Sequence, residues 1–412
     1  MSADTILYVI IGILVINYLW EQLLDYLNVT HQKDSPPEEV QDICDHATYK
    51  RSIAYQRAKT RFGFISSSAG FIVIMALLFS GAFGELDEWL QQFLNHKILL
   101  ALVFFGVLYI SADILSIPLQ WYNTFVLEER FGFNKTTAGT FWSDKLKGYL
   151  VALVLAGPIV WLLLYLIVRL GPGFWIYFLI AISAFSLFIN VFYTSLILPL
   201  FNKLTPLPDG ELKMAIQTYS RNVAFPLSNI FVIDGSKRSS KSNAFFSGLG
   251  KKKKIVLYDT LIQNHSTEEL VSILAHEVGH YKKKHVIQNY VLSILQSALM
   301  LFLLSKMITN EQLSLALGGQ EMSIHLNLLA FGMLYTPVSK LLGIFQNILS
   351  RKNEYEADAY AVRTASGSAL VSALKNLSLD NLSNLWPHSW FVFFHYSHPP
   401  LVQRLRAIQV TD

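Results

Sequence analysis

Long apolar stretches are the dominant feature of this 412-residue sequence. A helix that crosses ~30 Å of hydrocarbon at ~1.5 Å per residue needs about 20 apolar residues. Seven stretches reach this length, namely 5–25, 62–84, 98–121, 148–168, 173–198, 286–308 and 324–349. The composition, 52% hydrophobic and only 15% charged, also excludes a disordered chain. We therefore predict an all-α membrane protein with seven transmembrane helices.

The basic residues are distributed unevenly between these stretches. Of the 33 Lys and Arg residues, 29 fall in four segments, 26–61, 122–147, 199–285 and 350–412. Because cytoplasmic loops carry an excess of Lys and Arg, we predict that these segments are cytoplasmic and that the N-terminus lies outside. The first apolar stretch has neither the basic start nor the small-residue cleavage site of a signal peptide, so we expect it to be retained.

Other bulk properties narrow the classes of function. A net charge of +4 is too small to indicate a nucleic-acid partner. The single cysteine, Cys44, excludes a disulfide framework and a cysteine-based zinc finger. Polar residues interrupt the apolar stretches at Asp113, Asn190, Gln288, Asn289, Gln296 and Lys340. Such residues face either other helices or a water-filled space, and the sequence leaves both interpretations open.

Residues 199–285 form the longest stretch outside the predicted membrane helices. Three short runs rich in β-branched and aromatic residues predict strands, and these are 230–233, 244–246 and 255–258. Gly248-Leu249-Gly250 and Lys251–Lys254 separate the last two, which predicts a hairpin with a basic tip. Ser266, followed three residues later by Glu269, forms a capping box, so a helix is predicted to begin there.

The sequence His276-Glu277-Val278-Gly279-His280 on this helix is the strongest chemical signal in the chain. Histidines at i and i+4 lie one turn apart on one face, so both imidazoles can reach one tetrahedral zinc ion. Glu277 is then placed to take a proton from the attacking water, whose pKa the metal lowers to ~7. The pattern predicts a hydrolase with one zinc ion per chain.

A catalytic zinc site needs a third protein ligand and an open position for water. Glu354 and Asp358, just after the last apolar stretch, share a helix face, whereas Glu356 lies on another. We predict that Glu354 binds the metal and that Asp358 accepts a hydrogen bond from a ligand histidine. A solvated acidic turn is the alternative for this segment. His285 is the alternative third ligand, although it lies five residues after His280 and on a different face.

Six blocks spread along the chain add to the zinc motif, and these are Tyr122–Thr137, Ser242–Phe246, Ile255–Leu261, Ala275–His280, Glu354–Ala359 and His395–Pro400. In this order they resemble the integral-membrane CAAX prenyl endopeptidases, zinc enzymes that process C-terminal CAAX proteins. The resemblance spans nearly the whole chain and is far more specific than the zinc motif alone. It implies that His276, His280 and Glu354 are zinc ligands, that Glu277 is the general base, and that Asp358 supports a ligand.

The resemblance extends to groups that would contact the substrate. His398 and Arg404 match family positions near the active site, where they would stabilise the oxyanion or position the substrate. From the sequence alone, His398 is more typical of a structural residue at a helix start before Pro399. Asn243, Ala244, Phe245 and Phe246 match the family's substrate strand, to which an extended peptide would add by backbone hydrogen bonds.

The resemblance also implies a fold. Seven helices would ring a large water-filled chamber, with a cytoplasmic zinc-protease domain that contains a small β-sheet. We predict membrane helices 1–5 in residues 1–198, the catalytic segment with its hairpin and zinc helix in 199–285, and helices 6–7 in 286–349. Residues 350–412 would complete the zinc site from the cytoplasmic side.

We expect a peptide or lipidated protein substrate, contact with membrane lipid, no nucleic-acid partner and a monomeric chain. Residues 408–412 contain neither a Lys-Asp-Glu-Leu signal nor a di-lysine tail, which favours a bacterial inner membrane over the endoplasmic reticulum of a eukaryote. One alternative is a quality-control metalloprotease like the bacterial HtpX, which has fewer spans. Another alternative is a transporter or channel regulated by zinc. No inverted repeat and no paired broken helices are visible in the sequence, which argues against it.

Overall fold

The computed structural model describes residues 1–247 and 253–411. Within these ranges, five helical segments are long and apolar enough to cross a membrane, namely Ala3–Thr30, His46–Ser80, Lys97–Glu128, Ala138–Phe201 and His285–Met307. A further candidate is a pair of helices, Ile324–Leu334 and Thr336–Thr364, that meet at a bend of 50°. The chain is therefore a mostly helical membrane protein, as predicted.

The helices are α1 Ala3–Thr30, α2 His46–Ser80, α3 Ala82–Gln91, α4 Lys97–Tyr122, α5 Ala138–Val151, α6 Gly157–Leu170, α7 Phe174–Phe192, α8 Leu198–Phe201, α9 Glu211–Asn222, α10 Asp259–Asn264, α11 Thr267–Lys282, α12 His285–Met307, α13 Glu311–Ala316, α14 Ile324–Leu334, α15 Thr336–Thr364, α16 Gly367–Asp380, α17 Ser389–His395 and α18 Leu401–Thr411. Short π-helices cover Asn123–Glu128, Ala152–Ala156 and Tyr193–Ile197, and 3-10 helices cover Glu38–Val40, Gly171–Gly173 and Gly235–Lys237. The strands are β1 Leu204–Pro206, β2 Leu227–Ile233, β3 Ala244–Ser247 and β4 Lys253–Tyr258.

Two of the predicted membrane stretches are interrupted by an end or a bend of the helix in the structure. The second was predicted to run to residue 84, but α2 ends at Ser80 because Gly81 adopts the left-handed conformation with φ 72°. The seventh is not one straight helix, since the chain bends between α14 and α15. Pro337 stands in the first turn of α15, where its missing N–H and its ring favour a break from the preceding helix.

The fourth and fifth predicted stretches share the segment Ala138–Phe201. Its 64 residues would extend about 96 Å as one straight helix, roughly three times the hydrocarbon thickness. Instead, Gly171 adopts φ 52° and a 3-10 turn separates α6 from α7. Ile167 of α6 then packs in one apolar cluster with Phe174 and Phe178 of α7, so the segment folds back on itself.

A four-stranded sheet in the order β1-β2-β4-β3 lies between the membrane helices α7 and α12 in sequence. Strands β2 and β4 are parallel, whereas β1 and β3 pair antiparallel with their neighbours. The three predicted strand runs are confirmed, but β1 was not predicted, since three residues ending in Pro206 carry little strand signal. The tip of the predicted hairpin, residues 248–252, lies outside the described residues.

One apolar core supports the sheet and α11 together. It includes Leu257 of β4, Leu274 of α11 and Leu370 of α16, all at most 3% exposed. The predicted capping box is present at the start of α11, where Ser266 Oγ accepts from the Glu269 amide at 3.2 Å and Glu269 Oε2 accepts from the Ser266 amide at 3.0 Å. This cap and this core fix α11 beside the sheet.

Candidate active site

Helices α11 and α15 approach closely at Gly279. A Cβ atom there would lie 3.0 Å from the Cα and carbonyl oxygen of Ala357. Glycine therefore allows a separation of the two helices that any side chain would increase. This approach places His276 and His280 of α11 opposite Glu354 of α15.

The side chains of His276, His280 and Glu354 converge as the sequence predicts. The two Nε2 atoms lie 3.2 Å apart. Glu354 Oε2 lies 3.4 Å from His276 Nε2, and Glu354 Oε1 lies 3.3 Å from His280 Nε2. One ligand atom from each residue can be chosen so that all lie within 4.8 Å of one another.

These three residues fit a metal ion. Two imidazole nitrogens and one carboxylate form a ligand set of catalytic zinc sites. Glu354 Oε2 is buried and accepts no hydrogen bond from the described residues, and Arg404 Nη1, 3.8 Å away, is too distant to donate one. This oxygen is therefore free to bind a metal ion. Burial would lower the pKa of His276, but the interactions of its ring with the Asp358 and Glu354 carboxylates outweigh burial and raise the pKa to about 9. The surroundings therefore favour positive charge.

Asp358 orients one of the histidines. Its Oδ1 accepts from His276 Nδ1 at 2.8 Å, which turns Nε2 toward Glu354. Arg404 Nε and Nη2 donate to the two Asp358 oxygens at 2.9 and 2.6 Å, and Asp358 is only 2% exposed. The structure thus places Asp358 behind His276, on the side of the ring away from Glu354.

His280 is supported in a way that the sequence analysis missed. Its Nδ1 lies 3.0 Å from His285 Nδ1, and His285 Nε2 lies 3.4 Å from Glu356 Oε2. His285 therefore lies behind His280 and is not in the group around Glu354. His285 does not continue the helical spacing from His280, because Lys284 adopts φ 61° and breaks the helix just before His285.

A cavity of about 350 Å³ adjoins the three converging residues. Glu277, half-buried, lines it together with Asn243, His398 and Arg404. The rest of its wall is apolar and consists of Ala244, Leu261, Ile273, Leu370, Leu374 and Leu377. The cavity thus combines a carboxylate, hydrogen-bond donors and an apolar surface next to His276, His280 and Glu354.

His398 and Arg404 differ in how firmly the protein holds them. The His398 side chain is 64% exposed, with Nε2 3.4 Å from Glu354 Oε1. Its Nδ1 lies 2.9 Å from Ser397 Oγ. The Arg404 side chain is 12% exposed and faces the carboxylates, with Nη1 3.8 Å from Glu354 Oε2. His398 is therefore the group more open to a substrate.

The predicted substrate strand is an edge strand beside this cavity. Ala244 and Phe245 of β3 pair antiparallel with Leu257 and Val256 of β4. Asn243 precedes the strand, and its side-chain oxygen accepts from the Ala244 amide at 2.8 Å. Phe246 also pairs with β4, although the structure describes only its backbone. Among the described strands none covers the outer edge of β3.

Comparisons with known proteins give the family. The profile of the CAAX prenyl protease N-terminal region, five membrane helices, matches residues 25–203, and that of peptidase family M48 matches 206–412. The "CAAX prenyl protease 1 homolog" of Oryza sativa subsp. japonica is 35% identical over 408 residues, covering 97% of this chain and 96% of the relative. That of Homo sapiens is 34% identical over 448 residues, covering 95% and 93%.

A solved structure indicates the same family. The crystal structure of S. mikatae Ste24p matches with a TM-score of 0.93 and 32% identity, covering 98% of this chain and 99% of that one. The "CAAX prenyl protease 1" of Saccharomyces cerevisiae is 32% identical over 427 residues, covering 97% of this chain and 94% of the relative. The chain therefore belongs to peptidase family M48 and is a membrane metalloendopeptidase of the CAAX prenyl protease type.

Proposed function

We propose that this chain is a zinc endopeptidase that cuts CAAX-type prenylated peptides, or other membrane-associated peptides, in an extended conformation. The observation that carries the proposal is the convergence of His276, His280 and Glu354 beside a cavity that Glu277 lines and β3 borders. Relatives named CAAX prenyl protease, similar over nearly the full chain, support this substrate class.

We assign His276 Nε2, His280 Nε2 and the Glu354 carboxylate as the ligands of one zinc ion per chain. When bound there, zinc would polarise the scissile carbonyl and lower the pKa of the attacking water. Asp358, held by Arg404, keeps His276 in the tautomer that presents Nε2 to the metal side.

We assign Glu277 as the general base. It follows His276 on α11 and lines the cavity, so its carboxylate can take a proton from water and later give it to the leaving amine. His398 lines the cavity with an exposed ring, and it can donate a hydrogen bond to the oxygen that gains negative charge. Arg404 acts through Asp358 and adds positive charge nearby.

The substrate would add as a strand to the outer edge of β3. Residues 243–246 would supply the backbone hydrogen bonds, because an edge strand presents unpaired amide and carbonyl groups. The apolar wall of the cavity, which includes Leu261, Leu370 and Leu374, would receive an aliphatic side chain of the peptide. An aliphatic residue next to the cut bond is what a CAAX sequence provides.

We also propose seven membrane crossings, an interior chamber and the segment boundaries given above. The turn at Gly171–Gly173 and the bent pair α14–α15 support seven membrane crossings. A cavity of about 1040 Å³ between α2 and α4, whose lining is mostly apolar but includes Ser66, Ser111 and Ser116, supports an interior chamber. The family profiles meet between residues 203 and 206, near the proposed boundary at 198–199 that begins the catalytic segment. The remaining proposed boundaries follow residues 285 and 349.

The excess of basic residues on the side of the metal site supports a cytoplasmic C-terminus and an outside N-terminus. A monomer with bound lipid is proposed for the chain in its membrane. We propose an inner-membrane location if the source is bacterial and an endoplasmic-reticulum location if it is eukaryotic.

The test is the Glu277→Gln variant, purified with zinc and assayed on a farnesylated CAAX peptide. Loss of the general base should lower kcat by about 100- to 10,000-fold while the zinc content is unchanged. Glu268→Gln, an exposed carboxylate in the first turn of the same helix, is the matched control and should keep full activity. Full activity of Glu277→Gln would refute the assignment.

The same preparation separates the alternatives. Cleavage of misfolded membrane proteins with no preference for prenylated peptides would instead indicate a quality-control protease of the HtpX kind. Solute flux in vesicles that Glu277→Gln leaves unchanged would indicate a transporter or channel.

A further inference from the structure

We infer that α17 lies in the membrane interface on the side of the metal site, where lipid contact positions the segment that carries His398. Helix α17, Ser389–His395, ends three residues before His398. Trp390 and Phe393 lie on one face of it and are 52% and 43% exposed. Val392, on the opposite face, is only 9% exposed. The helix therefore packs by one side and presents large aromatic rings on the other.

Contacts with α1 fix the depth of α17 in the membrane. Between Asp4 and Glu21, α1 has 16 residues without charge, which span about 24 Å at ~1.5 Å per residue. Trp20 is the last residue of this run. The Trp390 ring stacks on the Trp20 ring with centroids 6.0 Å apart. Trp390 therefore lies where the uncharged part of α1 ends, which is the level of the lipid head groups.

The exposed side of α1 next to these rings is apolar. Its large exposed side chains recur at helical spacing and are Ile16, Leu19, Leu23 and Tyr26, between 41% and 70% exposed. Glu21 and Asp25 lie on the opposite face of the helix. A row of exposed apolar side chains on a membrane-crossing helix faces lipid, so the aromatic face of α17 lies beside a lipid-facing surface.

The charged side chain of Glu21 lies at the same depth in the membrane as Trp20 and Trp390. Glu21 of α1 forms an ion pair with Lys340 of α15, and its Oε2 lies 3.1 Å from His395 Nε2 of α17. Charges are costly in hydrocarbon and are tolerated where water and head groups can reach them. Trp and Tyr are enriched at this level because their rings are apolar and their N–H or O–H groups are polar. The lipid interface therefore suits the exposed rings of α17 better than water or a protein partner does.

Helix α15 links α17 to the active site. Arg351 Nη1 donates to the carbonyl oxygens of Val392 and Tyr396 at 3.1 and 2.5 Å. Asn347 Nδ2 donates to the carbonyl oxygen of Phe394 at 2.8 Å. These bonds hold the last turn of α17 on the helix that carries Glu354 one turn later. Because Tyr396 is two residues before His398, a shift of α17 would move His398 relative to Glu354.

The first test measures depth and does not depend on the proposed function. In a Cys44→Ala background, which removes the only cysteine, a nitroxide is attached at Trp390→Cys or Phe393→Cys in the full chain. The protein is placed in phosphatidylcholine–phosphatidylglycerol liposomes, and collisions with oxygen and with a water-soluble nickel complex are compared. Ile16→Cys and Met214→Cys, 70% and 62% exposed, serve as the membrane and water references.

Labels at 390 and 393 should show depths between those two references, at the phosphate level. Values equal to those of the Met214 label would place α17 in water and overturn the inference. Labels that neither reagent reaches would mean that protein covers α17, which also overturns it.

The second test measures positioning and rests on the proposed function. Trp390→Ser combined with Phe393→Ser should lower kcat on a prenylated peptide in liposomes about fivefold with KM little changed, because His398 is displaced. The conservative variant Trp390→Phe, which keeps an aromatic ring, should retain most of the kcat that the double serine variant loses. Trp89→Ser is the matched control, since Trp89 is 53% exposed but lies on α3, at the end of α2 remote from the metal site.

The outcomes are distinguishable. Unchanged kcat in the double variant would refute the positioning role even if the depth is as expected. A parent protein that cuts no prenylated peptide would refute the proposed function and leave the depth measurement valid.

Discussion

The two sides of the candidate site are built differently. On the metal side, groups are held from behind, since Asp358 binds His276 and Arg404 binds Asp358. Glu354 and Asp358 are only 3% and 2% exposed. On the substrate side, the His398 side chain is 64% exposed, and the outer edge of β3 has no partner among the described strands.

The difference shows which parts the protein completes by itself. The metal side is preorganised by buried hydrogen bonds, so changes there should alter metal affinity and stability. On the proposed substrate side, a bound peptide would supply the missing hydrogen bonds, so changes there should alter kcat or KM and leave the metal in place. Measurements of metal affinity, stability and peptide kinetics separate these two classes of effect.

The largest effect is expected from Glu354→Gln. A neutral amide is a poor ligand, so the metal affinity should fall by more than the ~100-fold that loss of an outer partner causes, and activity should be lost. Metal content by mass spectrometry and peptide cleavage are the measurements. Glu356→Gln is the matched control on the same helix, because its carboxylate lies 3.4 Å from His285 rather than in the metal group. Equal metal loss in both variants would refute the ligand assignment.

The next effect concerns Arg404→Met. This change leaves the buried Asp358 carboxylate without its cation, which should lower the free energy of unfolding by about 3–5 kcal/mol. Arg406→Met, two residues along the same helix, is the control. The Arg406 side chain is 67% exposed and pairs with Glu39, so its loss should cost only about 0–1 kcal/mol. Thermal unfolding in detergent measures both, and equal shifts would contradict the difference in burial.

A smaller effect is expected from His285→Gln. Loss of the His285 ring removes the group that orients His280, so the dissociation constant for zinc should rise about tenfold. Competition with a chelator measures it, and kcat at saturating zinc should change little. His265→Gln is the control, since His265 is also buried but its Nδ1 lies 3.2 Å from the Leu261 carbonyl oxygen instead. If zinc affinity is unchanged in His285→Gln, then His285 does not support the ligand.

The arrangement of the metal side could be predicted because it depends on local periodicity. His276 with His280, and Glu354 with Asp358, are each four residues apart on a helix, which puts both members of a pair on one face. The capping box at Ser266 fixed where the first of these helices begins. The seven apolar stretches likewise indicated a membrane protein, because length and hydropathy need no tertiary information.

The parts that could not be predicted depend on backbone conformation and on backbone acceptors. His285 reaches His280 only because Lys284 adopts φ 61°, a conformation that a non-glycine residue seldom signals. Arg351 holds α17 by donating to two backbone carbonyl oxygens. Because every residue has a carbonyl group, the sequence does not indicate which residues Arg351 contacts. Pro337 is the only sequence signal for the bend after α14, and proline is also common in the first turn of helices that follow no bend.

The smallest effect concerns the open edge of β3 and the peptide backbone. Along an antiparallel pair, alternate residues of a bound peptide donate their N–H to the strand and the others point away. N-methylation of a donating residue should remove one hydrogen bond, worth about 0.5–1.5 kcal/mol, and raise KM roughly two- to twelvefold. N-methylation of the neighbouring residue is the matched control and should leave KM near its original value. Zinc content and the free energy of unfolding cannot change, because the protein is unaltered. An equal rise at successive positions would mean that the peptide does not bind as a strand beside residues 243–246, and the substrate side would then need another binding surface.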